Sequence, residues 1–99
     1  MNRTVIITTG TRTKAQNIAK QYQDDRVVFA DSMPVPTPLL NSGKFIQLPS
    51  LSAPHFIHEL LKACLNHSAD LVVLLSEEEI QLVLPQKILF EEYNIDIIC

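Results

Sequence analysis

Asp70-Leu71-Val72-Val73-Leu74-Leu75-Ser76-Glu77-Glu78-Glu79 decides the fold class of this chain. Leu71 to Leu75 is an unbroken apolar run with no alternation, so a strand built from it needs cover on both faces. Strands of that kind belong to parallel sheets sandwiched between helices. Ser76-Glu77-Glu78-Glu79 follows directly and has the S-x-x-E form of a capping box. In that motif a serine hydroxyl and a glutamate carboxylate each satisfy a backbone N–H at a helix start. A buried strand leading straight into a capped helix is half of a βαβ unit.

Downstream, Pro85 interrupts the helix and predicts a kink or two short pieces. Ile88 to Tyr93 continues it, and Ile95-Asp96-Ile97-Ile98 reads as a last strand. Upstream, Ile57, Leu60, Leu61, Cys64 and Leu65 form a wide helical stripe, with Ser52 as N-cap and Pro54 in the first turn. Lys44 to Leu48 forms a short strand closed by Pro49. The segment Met33-Pro34-Val35-Pro36-Thr37-Pro38 reads as a loop, since alternate prolines disfavour both ladder and helix.

Nearer the start, Val5-Ile6-Ile7 is another doubly buried strand, broken by Gly10. Ala15, Ile18, Ala19 and Tyr22 keep the i, i+3, i+4, i+7 spacing of an amphipathic helix over Thr13 to Tyr22. Asp24-Asp25 marks a turn, and Val27-Val28-Phe29-Ala30 is a strand ending at Asp31. The expectation is one α/β domain over residues 1–99. It has a three-layer, Rossmann-like form: a mostly parallel sheet of four or five strands, right-handed crossovers and helices on both faces.

Ninety-nine residues suit a single domain, and 46% hydrophobic residues suit a globular one. A net charge of −3 with scattered basic residues gives no electrostatic footprint for nucleic acid or an anionic membrane. Cys64 falls on an apolar helix side and Cys99 ends a strand. Neither has a C-x-x-C partner, so disulfide, metal and redox roles are not indicated. The short apolar run after Met1-Asn2-Arg3-Thr4 is too brief for a signal peptide, and no run reaches the roughly 20 residues of a membrane helix. A cytoplasmic protein is the expectation.

In a parallel sheet, ligands bind beyond the carboxyl ends of the strands. Three segments fall there: Thr8 to Thr13, Asp31 with the proline loop, and Ser76 to Glu79. Thr9, Gly10, Thr11 and Arg12 join the first strand to the first helix. Helix-start N–H groups, threonine hydroxyls and a guanidinium are the ingredients of an anion site. The turn lacks the three glycines of a dinucleotide fingerprint and the Gly-Lys-Ser/Thr of a phosphate loop, so a capped turn with an exposed arginine stands beside that reading. Asp31 sits where an acidic residue accepts ribose hydroxyls, or it opens a solvated turn. Glu79 offers a carboxylate to an amine or a metal, or closes the capping box. His55 and His58 with Glu59 lack a third ligand for a catalytic metal. No catalytic set is complete.

In order along the chain, Thr9-Gly10-Thr11-Arg12, Ala30-Asp31-Ser32, Lys44-Phe45 through Pro49, Asp70-Leu71-Val72-Val73 through Glu79-Ile80, and Phe90-Glu91-Glu92-Tyr93-Asn94-Ile95 resemble one family. It is the pre-ATP-grasp domain at the front of ATP-grasp enzymes, especially proteins similar to the carbamoyl-phosphate synthase large subunit. The resemblance implies a domain that packs on an ATP-grasp module of the same parent chain and is inactive alone. ATP and magnesium are expected in that module, with no cofactor in this chain. The resemblance sets Gly10 and Arg12 in the turn near the substrate and Glu79 at an acidic position after the fourth strand. Two alternatives stay open: a stand-alone nucleotide- or anion-binding module using Thr9 to Thr13 and Asp31, and an interaction domain whose exposed edge or proline loop docks a partner, a homo-oligomer included.

Overall fold

A computed structural model describes residues 3–99. Its elements are β1 (Thr4–Ile7), α1 (Thr13–Ala19), β2 (Arg26–Asp31), α2 (Thr37–Asn41), β3 (Phe45–Gln47), α3 (Phe56–Asn66), β4 (Leu71–Val73), α4 (Glu77–Val83), α5 (Lys87–Glu91) and β5 (Asp96–Ile98). Tight 3-10 turns extend α1 over Lys20–Tyr22 and join α4 to α5 over Leu84–Gln86.

The five strands form one all-parallel sheet in the order β3-β2-β1-β4-β5. Alternation along each strand feeds two cores. Ile6, Val28, Val72 and Ile97 meet Phe56, Leu60, Val83 and Phe90 beneath α3, α4 and α5. Val5, Ile7, Phe29 and Val73 meet Ala15, with Ile18 and Tyr22 packed beside them, beneath α1. Both faces of the central strands are therefore covered, which is why their sequences run apolar without alternation. The result is the three-layer, Rossmann-like α/β sandwich that the periodicity calls for. Phe29 and Phe45 stack with ring centroids 5.1 Å apart and fasten the short edge strand β3 to β2.

Ser76 caps α4 as a full capping box: its hydroxyl accepts from the Glu79 N–H at 3.1 Å, and its own N–H reaches Glu79 Oε1 at 3.3 Å. The break at Pro85 divides α4 from α5 as expected. Two local expectations fail. Ser52 does not cap α3, which begins at Phe56 with His55 in the cap position and no side-chain cap. Turns from Ser50 to Ala53 and from Ala53 to Phe56 occupy the stretch before it instead. Leu65 is 48% exposed while Phe56 and Ala63 are buried, because a residue five beyond Leu60 is rotated by about 140° from it.

The proline segment also holds a helix that its composition argued against. Pro38 is the second residue of α2, where its missing N–H would have had no intrahelical partner. The Leu39 and Leu40 N–H groups reach the Pro36 carbonyl, and Gly43 at φ 78° lets the chain leave α2.

Candidate functional site

The chain winds outward from β1 to β2 and β3 on one side and through β4 to β5 on the other. The order reverses between β1 and β4, so the carboxyl ends of these two strands flank the crevice where α/β sheets bind ligands. Thr8 and Thr9 follow β1 there, and Ser76 precedes α4. Asp31 closes neighbouring β2. A cleft of about 150 Å³ opens among them, lined by Thr9, Arg12, Asp31, Met33, Ser76 and Glu79.

Glu79 is 2% exposed and ties the two sides together. Its Oε1 accepts the Thr8 hydroxyl at 2.7 Å, the Thr9 hydroxyl at 2.8 Å and the Ser76 N–H at 3.3 Å. Oε2 takes part in none of these bonds. Thr8 in turn accepts the Leu75 N–H at 3.2 Å, so the ends of β1 and β4 are locked by side chains after their ladder stops. Thr9 holds φ at 54°, an unusual value for a β-branched residue, at the edge of the cleft.

Asp31, also 2% exposed, organises the opposite side. Its Oδ2 accepts the Thr11 N–H at 3.1 Å and hydroxyl at 2.6 Å, while Oδ1 accepts the Met33 N–H at 2.9 Å. These bonds overturn the picture of Asp31 as a solvated turn residue. They also direct its oxygens to two backbone N–H groups and the Thr11 hydroxyl, which leaves less for a ribose.

The turn itself is not a phosphate loop. The Gly10 N–H reaches Ala30 O at 2.9 Å, the Thr11 N–H reaches Asp31, and the Arg12 N–H reaches Thr9 O at 3.1 Å. The expectation of free turn amides is thereby corrected for residues 10–12. Gly10 serves close packing: a Cβ there would lie 2.5 Å from Phe29 Cβ and 3.0 Å from Ala30 N. Arg12 has its backbone at the N-cap of α1 and its side chain exposed beside the cleft. Thus the six candidates Thr9, Gly10, Thr11, Arg12, Asp31 and Glu79 are brought to one place. Gly10 and Thr11 are structural, and the other four line the cleft.

Elsewhere the chemistry is sparse. Among the described residues no group of three His, Cys, Asp or Glu side chains is arranged to hold a metal ion. Burial pushes the Cys64 thiol up to about 12, far from the thiolate a nucleophile needs. No helix among the described residues is long and apolar enough to cross a membrane. Gln47 was not singled out by its sequence, yet its side chain reaches three backbone groups between Asp31 and Val35 and the carbonyl of neighbouring Leu48. A lone glutamine in a short strand carries no spacing signal that would reveal this.

A search of curated proteins found no match. A family model described as the PylC-like N-terminal domain matches residues 4–98, nearly the whole chain. The all-parallel sheet, the switch-point cleft and this match agree: the chain belongs to the PylC-like N-terminal domains, the pre-ATP-grasp domain of ATP-grasp ligases.

Proposed function

We propose that this domain forms the substrate-side wall of an ATP-grasp carboxylate–amine ligase, similar to the carbamoyl-phosphate synthase large subunit, and is not catalytic by itself. The observation that supports this is the cleft at the carboxyl ends of β1, β2 and β4, with an arginine and a buried carboxylate on its walls. Arg12 offers a guanidinium suited to a substrate carboxylate. Glu79 holds one oxygen in the Thr8–Thr9–Ser76 network and keeps Oε2 for a ligand donor such as an amine. Thr9 and Ser32 supply the polar rim between them.

ATP and magnesium belong, on this reading, to an ATP-grasp module of the same parent chain, which supplies the acyl-phosphate chemistry. In support of that division of labour, the turn amides of residues 10–12 are engaged within the protein. The partner is that module, in a cytoplasmic protein, with self-association as a further property of the whole ligase.

The test is to express residues 1–99 alone and the complete product of the gene, and to follow ADP formation. The complete protein is expected to release ADP only when carboxylate and amine substrates are both present, and the 99-residue chain to release none. ATP turnover by the 99-residue chain at the rate of the complete protein would contradict the proposal.

A further inference from the structure

The β2 ladder ends at Asp31, yet Val35 in the segment after it is 7% exposed. A buried N–H needs an acceptor, and among the described residues no strand pairs with this segment to provide one. Gln47, the last residue of β3, provides it from a side chain. Its Oε1 accepts the Val35 N–H at 2.7 Å, while the two protons of its Nε2 are shared among the carbonyls of Met33, Asp31 and Leu48, each at 3.0 Å.

The Met33 and Val35 bonds have the pattern of a parallel ladder. There, one residue donates to the carbonyl before its partner and accepts from the N–H after it. The side-chain amide of Gln47 takes that part, and the residue opposite it is Pro34. A proline is harmless at that position, since the opposed residue's own N–H points away from the pairing edge. The arrangement pins a proline-bearing segment that is itself irregular.

What is pinned is a wall of the cleft. Met33 lines it and is held at its N–H by Asp31 Oδ1 and at its carbonyl by Gln47 Nε2. Gln47 itself does not line the cleft. It faces a separate hollow of about 240 Å³ outside β3, beside Glu59, Lys62 and His67. We propose that Gln47 is a positioning residue for the substrate cleft, setting the place of the Ser32–Met33 rim through a side-chain amide that stands in for a strand residue opposite Pro34. This rests on the cleft being the substrate wall of a ligase.

Amide hydrogen exchange on the 99-residue chain tests the clamp, using Gln47→Leu and, should that fail to fold, Gln47→Met. Both remove the amide while keeping an apolar stem. Exchange at Val35 is expected to rise roughly tenfold or more, as befits a buried N–H that loses its acceptor, with Met33 following and Val28 and Val72 unchanged. In the complete ligase the same variant is expected to raise the KM of the carboxylate or amine substrate several-fold and leave the KM for ATP where it was. Unchanged Val35 exchange would overturn the clamp. Faster Val35 exchange with an unchanged substrate KM would overturn the positioning role. A complete protein with no ligase activity would overturn the functional reading and the positioning role with it, a result kept distinct by the exchange data.

Discussion

Thr9 Oγ1 and Glu79 Oε1 lie 2.8 Å apart, joining residues 70 positions apart in sequence across the crevice between β1 and β4. The same oxygen receives the Thr8 hydroxyl and the Ser76 N–H. One buried carboxylate oxygen thus organises both turns. Removing the side chain and changing only its charge should therefore have different consequences. Glu79→Ala leaves the Thr9 hydroxyl and the Ser76 N–H without this acceptor, the Thr8 hydroxyl keeping Val73 O at 3.2 Å, and is expected to cost about 3 kcal/mol. Glu79→Gln can place its amide oxygen in the Oε1 position and is expected to cost less than about 1 kcal/mol. Urea unfolding of the two variants measures the difference; equal losses would show that the network does not depend on that oxygen.

Gly10 sits where the turn packs directly on β2. A Cβ there would sit 2.5 Å from Phe29 Cβ, so either the turn or β2 must move. Gly10→Ala is expected to destabilise the domain by about 1–3 kcal/mol, the usual range for overpacking. Thermal unfolding reads this directly, and an unchanged melting temperature would mean that the turn shifts without cost.

Arg3 holds the Asp25 carboxyl below its ordinary value, first through its backbone N–H at 3.1 Å and then through its guanidinium, also at 3.1 Å. A carboxyl whose pKa is depressed by folding adds stability above its unfolded pKa, and that contribution is lost as pH falls through the lowered folded value. Carbon-detected NMR titration is expected to give Asp25 a midpoint below 3.8. Arg3→Ala keeps the backbone donor, so it should move the midpoint only part of the way back. A midpoint already at the ordinary value would remove this pair from the pH dependence.

The two free cysteines should differ in reactivity. Cys64 is buried with its thiol pushed up to about 12, whereas Cys99 is exposed. Ellman's reagent at pH 8 is expected to modify one thiol in the folded chain and a second only after denaturation. Prompt reaction of both would show that α3 opens readily.

The alternation of buried strands and striped helices was legible because burial on two faces imposes continuous apolar runs such as Val5 to Ile7 and Leu71 to Leu75. The capping box at Ser76 was legible because both partners lie within one turn. The α2 helix was not, since Pro38 is disfavoured in a helix interior but tolerated at the second position, and composition alone does not reveal position. The six candidate residues stand out in the sequence by their location at strand ends. Their division of labour was hidden, because whether Asp31 and Glu79 face a ligand or the protein's own amides depends on contacts 20 to 71 residues apart. Gln47 escaped for the same reason.

The most direct test of the substrate-wall role is steady-state kinetics of the complete ligase carrying Arg12→Ala. Arg12 is exposed and makes none of the side-chain hydrogen bonds that hold the turn, so the fold should be undisturbed. The expected result is a fall of roughly 10- to 100-fold in kcat/KM for the carboxylate or amine substrate, the range for losing one charged hydrogen bond, with the KM for ATP unchanged. An unchanged kcat/KM for both substrates, or a loss confined to ATP, would contradict the assignment of this cleft to the substrate.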